Sequence, residues 1–220
     1  MLREGRVAVD GRTASLGDSA DPQRNVVTVD GVRVESEPLA YWMLHKPRGV
    51  ISTLRDTHGR PTVADVLPGD APRLFPVGRL DRDTEGLLLL TNDGPLTHVM
   101  LHPSHAVERE YAVTVRGRMA PEALERLAAG VEIEDGPTAP ARVDRVRRAA
   151  SSPSTRFHLT VIEGRKRQIR RALAALGYPV QRLVRVRIGP LRLGRLPEGE
   201  ARPLTPRERR ALEALRSRGK

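Results

Sequence analysis

The sequence predicts an α+β fold. Three observations carry this: strand-like runs outnumber helical ones along the 220 residues, the helical runs are short, and the two kinds do not follow the strict β-α-β alternation of a parallel sheet. Residues 1–36 contain two similar phrases, VAVDGR (7–12) and VTVDGV (27–32). Each is a short alternating run that meets an Asp-Gly turn signal, which predicts small hairpin pieces. Further strands are expected at 41–44, 50–53, 87–91, 110–115, 131–134, 142–146, 156–162 and 180–188. Helices are expected at 95–101, 121–129, 166–176 and 206–217. The last has the clearest start, because Thr205 can cap, Pro206 suits the first helical position and Glu208 completes a capping box. AASSPSTR (149–156) reads as a loop inside the domain, since strand patterns flank it closely on both sides.

Charge narrows the partner. The chain has 38 basic against 27 acidic residues, a formal charge of +11, and an isoelectric point near 11.2, an excess suited to neutralising phosphates; nucleic acid leads the candidates. With 39% hydrophobic residues in regular patterns the chain is not a disordered basic tail, and no window approaches the roughly 18 apolar residues of a membrane span. Cysteine is absent and no apolar leader follows Met1, so disulfides and a secretory signal are not expected and the cytoplasm is the expected compartment.

The excess is concentrated. Between residues 164 and 197 stand Arg165, Lys166, Arg167, Arg170, Arg171, Arg182, Arg185, Arg187, Arg192 and Arg195, with no acid among them. On a helix, Ile169, Ala172, Leu173 and Leu176 share one face, and Arg167, Arg170 and Arg171 form a stripe beside it. In the following strand, alternation places Arg185 and Arg187 together on one face. A solvated arginine-rich surface is the plain alternative, but ordinary surfaces mix signs to limit self-repulsion. An all-positive span over two elements therefore points to a bound polyanion, which guanidinium groups grip in bidentate fashion. With only one Trp, three Tyr and two Phe, a base-stacking sheet surface of the common single-strand type is poorly supported.

Several chemistries lack their motifs. The chain has no GxxxxGK phosphate loop, no GxGxxG dinucleotide turn and no GxSxG nucleophile elbow. His98 and His102 are four apart with His105 just beyond, a spacing that could seat a metal. No Glu lies between them and no cysteine can help, so a structural role at the helix end is the better reading. That leaves GRLDRDTEGLLLLTNDG (78–94), in which Asp81, Asp83 and Glu85 run straight into four leucines. An arbitrary acidic cluster is a surface turn with local pairing. Here the run that follows reads as a fully buried strand, so an acid just before it stands at the rim of a sheet, where a partly desolvated carboxylate needs a cation.

These residues resemble the RsuA/RluB-type ribosomal RNA pseudouridine synthases. GRLDRDTEGLLLLTNDG is similar to the signature segment of that family, and the likeness continues through HKPRGVIST (45–53), LHPSHAVEREYAV (101–113), EGRKRQIRRALAALG (163–177) and RLVRVRIGPL (182–191), covering about residues 41–204. The resemblance implies the family's fold, a mixed and mainly antiparallel central sheet with flanking helices. It implies isomerisation of uridine to pseudouridine in RNA, with uracil detached from C1′, rotated and rejoined through C5, and with no metal, nucleotide or other cofactor.

By the same resemblance Asp81 falls on the catalytic aspartate, acting either by adding to C1′ or by taking the 2′ proton. Tyr111 falls on the tyrosine that packs against the uracil, and Arg170 on the cation that pairs with the catalytic aspartate. Arg79 would occupy the space left by the extracted nucleotide. Lys46 and Gln168 match further motif positions that support the site or contact RNA, and Arg165, Arg167, Arg171, Arg185 and Arg187 are the expected RNA contacts of the basic helix and strand. Asp83 and Glu85 are left as turn or surface acids. Residues 1–36 resemble only the C-terminal part of an S4-type RNA-binding domain, without the paired helices expected ahead of it, and residues 37–220 form the expected catalytic domain. The expected substrate is 23S rRNA or an assembling large subunit, met by a monomer without a membrane. A small-subunit 16S rRNA substrate and a non-catalytic ribosome-assembly factor are the alternatives.

Overall fold

Both Asp-Gly pairs near the start of the chain are tight turns. Asp10 and Gly11, and again Asp30 and Gly31, have positive φ at both positions (49° and 81°, 52° and 77°), the geometry that matches the twist of a two-residue hairpin. They join β1 (Val7–Val9) to β2 (Arg12–Thr13) and β3 (Val27–Val29) to β4 (Val32–Arg33), and β1 pairs with β3 antiparallel, giving the order β2-β1-β3-β4. The computed structural model describes residues 1–21, 24–35, 37–148 and 153–218. It divides into two units, Met1–Leu39, which holds this small sheet, and Ala40–Lys220.

The second unit is built on one large sheet. Its strands are β5 (Tyr41–Lys46), β6 (Phe75–Pro76), β7 (Glu85–Thr91), β8 (Arg109–Arg116), β11 (Arg142–Arg148), β12 (Ser154–Val161), β13 (Val180–Ile188), β14 (Leu191–Arg192) and β15 (Ala201–Pro203), with β9 (Glu132–Ile133) and β10 (Gly136–Pro137) forming a separate ribbon. The main path runs β11-β12-β8-β13-β7-β5-β15, and β13 with β7 is its one parallel pairing. Among the described residues four α-helices flank it: α1 (Gly94–Leu101), α2 (Pro121–Ala129), α3 (Gln168–Ala175) and α4 (Pro206–Arg218). This is the mixed, mainly antiparallel α+β architecture that the sequence predicts.

Strand β7 is buried along its whole length because both faces of the sheet are covered. Leu88 and Leu90 enter one core with Leu44, Val113, Phe157 and residues of α2 and α3. Leu87 and Leu89 enter the other with Met43, Leu96, Met100 and Leu212, from α1 and α4 among others. At the start of β7, Gly86 has φ 110°, and a Cβ there would overlap the backbone of Arg185. Only glycine lets β13 come close enough to pair in parallel at this point.

Local signals hold where they are strongest. Asp93 caps α1 by accepting from Leu96 N at 2.9 Å, and Thr205 with Glu208 caps α4, where Glu208 accepts from Thr205 N at 2.8 Å. Residues 50–53 do not form a strand. Their only ladder contact is an isolated bridge from Ile51 to Thr62, because both edges of β5 are already taken by β7 and β15. Of the expected loop at 149–156, residues 149–152 lie outside the described residues and β12 begins at Ser154.

Candidate active site

The loop that carries Asp81 is fixed by a relay of hydrogen bonds starting at a buried lysine. Lys46 is fully buried, and its Nζ donates to the carbonyls of Pro47 and Val50 at 2.8 Å each, which shapes the turn after β5. That turn in turn grips the loop: Gly49 N donates to Arg82 O, and Ser52 Oγ both donates to Leu80 O and accepts from Leu80 N, each at 3.0 Å. Thr84 N closes onto Asp81 O. Asp81 is therefore held on a rigid turn just before β7. Its carboxylate has no hydrogen bond or ion pair to a side chain among the described residues.

Asp81 opens onto a cleft of about 830 Å³, shared with Arg79, Tyr111, Lys166, Arg170 and Arg185. Tyr111 is almost wholly buried on β8, opposite Arg185 on β13 and Leu159 on β12. Arg79 and Lys166 are exposed at the cleft and engage no carboxylate among the described residues. Among the described residues the cleft thus has one uncommitted carboxylate, one aromatic floor residue and uncommitted cations at its mouth, Asp81 and Arg79 from one loop and Tyr111 and Lys166 from elements far from it in sequence.

Asp83 and Glu85 are not spare surface acids. Asp83 takes Arg167 in bidentate fashion at 2.9 and 3.0 Å, and Arg170 approaches the same carboxylate at 3.2 Å while donating to the Asp83 carbonyl at 2.7 Å. Burial works against the charged form of Asp83, but the hydrogen bond from Arg167 and the charge of Arg170 outweigh it and lower its pKa. Glu85, 6% exposed, is held by Arg182 at 2.6 Å. The expected pairing of Arg170 with Asp81 is accordingly corrected: the direct partner is Asp83, and Asp81 acts on Arg170 only through space. Two residues of spacing in a turn swing the two carboxylates in different directions, so only one reaches the arginine helix.

The basic span is also less available than its sequence suggests. Arg165 spends its guanidinium on the carbonyls of Asp135, Gly136 and Pro137, and Arg171 pairs with Asp135 at 2.9 Å. Gln168 is buried, bonded to Glu163 and to the backbone of Arg165. Arg187 is buried between Glu108 and Glu110. A register shift between Arg185 and Arg187 sets them opposite Tyr111 and Glu110, successive residues that face opposite sides of β8, so the two arginines do not share a face. Lys46 cannot reach a phosphate from its buried position. Burial pulls its pKa down to about 8 against the charges of Asp83, Glu85 and Asp81. Of the expected RNA contacts, Lys46, Arg165, Gln168, Arg171 and Arg187 are committed within the protein, and Arg167 is exposed but tied to Asp83.

Arg109 is a site residue that the sequence reading passed over. It lies two residues before Tyr111, on the same side of β8, and donates to the carbonyls of Val107, Ile162 and Met100 along the cleft wall. Strand alternation from Tyr111 is the signal that identifies it. His98, His102 and His105 form a ring series with centroids 5.2 and 5.9 Å apart, and His102 Nδ1 bonds Ser104 Oγ as part of a helix end.

The family described as RNA pseudouridylate synthase matches residues 40–175 of the chain. The chain belongs to that family. An RNA pseudouridine synthase of Mycobacterium tuberculosis, without a characterised activity, is 47% identical over 215 residues, covering 94% of this chain and 83% of its own. The ribosomal large subunit pseudouridine synthase B of Bacillus subtilis is 39% identical over 220 residues, covering 100% of this chain and 90% of its own. A solved pseudouridylate synthase superposes with a TM-score of 0.71 at 32% identity, covering 96% of this chain and 90% of that one. As a pseudouridylate synthase, the chain is an isomerase whose cleft must admit a nucleotide drawn out of RNA, and an opening of this size with an exposed arginine at its mouth suits that demand. Among the described residues no helix is long and apolar enough to cross a membrane.

Proposed function

We propose that the chain isomerises a uridine of large-subunit ribosomal RNA to pseudouridine, with Asp81 acting on the ribose at C1′ or at the 2′ proton. The observation that carries this reading is the Asp81 carboxylate. It is fixed by the Lys46–Ser52–Leu80 relay, faces the cleft beside Tyr111, and is the one acid of its cluster not engaged by an arginine. Arg170 and Arg167 anchor the turn through Asp83 and keep positive potential beside Asp81 without neutralising it by contact. Tyr111 lies where it can pack on the base, and Arg79 where it can fill the gap that the base leaves. The large-subunit assignment rests on kinship with the B-type large-subunit enzymes. We further propose that the Met1–Leu39 unit is S4-like and binds RNA, and that the protein acts as a cytoplasmic monomer.

Mapping of pseudouridines in rRNA from cells with the gene, without it, and complemented by Asp81→Asn tests the proposal. A single 23S position is expected to lose its pseudouridine on deletion and to regain it only with the wild-type gene. Loss at a 16S position would move the substrate to the small subunit. An unchanged map would leave only an RNA-binding assembly role.

A further inference from the structure

One row of the sheet runs from a buried lysine to the floor of the cleft, which Arg185 and Tyr111 line. Register places Lys46 opposite Gly86 in β5 and β7, Gly86 beside Arg185 in β13, and Arg185 opposite Tyr111 in β8. Because Gly86 has no side chain, the two cations of the row are brought together across it, and the charge of Arg185 acts on Lys46. Lys46 uses its ammonium on the Pro47 and Val50 carbonyls, and Arg109 uses its guanidinium on three further carbonyls. Arg185 differs. It is 3% exposed, its Nε donates to Leu87 O at 2.8 Å, it lines the cleft, and its Nη2 is buried with no hydrogen-bond partner. Among the described residues no carboxylate engages it, unlike Arg182 and Arg187 on the same strand.

A buried guanidinium with an idle donor and no counter-ion is costly unless something negative or strongly polar arrives. The reaction supplies such a group. When the C1′–N1 bond breaks, its electron pair stays on the uracil ring and spreads onto O2 and O4. The pair then returns from C5 to C1′, and the proton lost from C5 is matched by one gained at N1, so atoms and charge balance without a co-reactant. We propose that Arg185 is a catalytic residue of this isomerisation, donating from Nη2 to a carbonyl oxygen of the extruded uracil and stabilising the uracil anion while it is detached. Arg185 faces the same side of the sheet as Tyr111, so the donor sits beside the aromatic floor on which the base would lie. The cost of holding the donor unpaired falls on the free enzyme, and its gain is realised as charge develops.

This inference rests on the proposed isomerisation, and one experiment separates the two. Wild type, Arg185→Gln and Arg185→Lys would be assayed at saturating enzyme on a 23S rRNA transcript and on the same transcript made with 5-fluorouridine, with products read by nucleoside chromatography after digestion. Fluorine stabilises the detached anion and lessens the need for help; because C5 then carries fluorine and no proton, the rejoined ring keeps the fluorine and takes up water across N1 and C6, and this new fluorinated nucleoside is what is counted as conversion. Arg185→Gln is expected to slow conversion of the uridine transcript on the order of 10²-fold, with half-saturation unchanged. Arg185→Lys keeps the charge and can still bond Leu87 O, but its donors radiate from one nitrogen and cannot span Leu87 O and the uracil oxygen as the guanidinium fork does, so it should fold as wild type and lose about tenfold. It carries the comparison if the glutamine variant fails to fold. Both deficits should shrink markedly on the fluorinated RNA. Equal deficits on the two RNAs, a loss confined to half-saturation, or full restoration by lysine would overturn the role of Arg185 while leaving the isomerisation standing. A wild-type protein that converts neither RNA would overturn both.

Discussion

The cleft and the ionic belt behind it use the same residue types in opposite ways. In the belt, charges meet their opposites: Asp83 with Arg167 and Arg170, Asp135 with Arg165 and Arg171, Glu85 with Arg182, and Glu110 with Arg187. In the cleft, Asp81, Arg79, Lys166 and the Nη2 of Arg185 have no such partner among the described residues. The belt fixes α3, the β9–β10 ribbon and the turn before β7 relative to the sheet. The cleft is left with charges available to RNA. Counting arginines in the chain therefore overstates its grip on phosphate, and what matters is which of them the fold has already used.

The sharpest way to break this comparison is to exchange Asp81 and Asp83 for asparagine separately. Asp81→Asn should cost on the order of 10⁴-fold or more in the rate of pseudouridine formation while leaving the melting temperature within a few degrees of wild type, since no partner is lost. Asp83→Asn should instead lower stability by about 2 kcal/mol, through loss of the charge-assisted bonds to Arg167 and of the ion pair with Arg170. Chemical denaturation paired with a tritium-release assay on rRNA labelled at uridine C5 reads both effects. Equal melting loss in the two variants would erase the distinction.

Acid tests the belt alone. Burial opposes the charged form of Glu110, but Arg187 and His158 more than compensate and bring its pKa from the ordinary 4.5 to about 2. A folded pKa below the unfolded one means that the unfolded chain binds the proton more readily, so this stabilisation is present above pH 4.5 and fades as pH falls toward 2. Its size is on the order of 3 kcal/mol. Glu110→Gln should therefore lower stability at pH 7, and the gap to wild type should narrow as the solution is acidified from pH 4.5. A gap constant from pH 7 to pH 2.5 by urea titration would refute the account.

The smallest effect concerns salt. Replacing Arg79 and Lys166 by glutamine should weaken RNA binding and reduce the slope of log affinity against log salt by about 2, one for each positive charge no longer brought against the RNA. Replacing Arg165 and Arg171, whose charges are turned toward Asp135, should leave the slope unaltered and lower stability instead. Filter binding across a salt series distinguishes them, and a flattened slope in the second pair would return those arginines to the RNA face.

Much of the fold was legible because it depends on neighbours in sequence. The Asp-Gly turns, the Thr205–Glu208 cap and the four leucines of β7 each announce their conformation over a few residues. The strand expected at 50–53 failed for a different reason. Its composition suits a strand, but β5 had no free edge to offer, and edges are allotted by the whole sheet.

The same division holds for the site. Sequence by itself determined that Asp81 stands before a buried strand, that a basic helix and strand exist to face it, and that Tyr111 lies on a half-buried strand, since each follows from local pattern and motif. Tertiary structure alone decided which acid takes which arginine. Asp135 is 36 residues from Arg171 and Asp83 is 84 from Arg167, and ion pairs over such separations depend on where the sheet brings the elements together. It also decided that Arg185 and Arg187 part company at a bulge, and that Lys46 lies wholly buried beneath the turn it shapes. Charge is a property of the residue, but its availability depends on packing, because burial removes water and a neighbouring carbonyl or carboxylate takes its place.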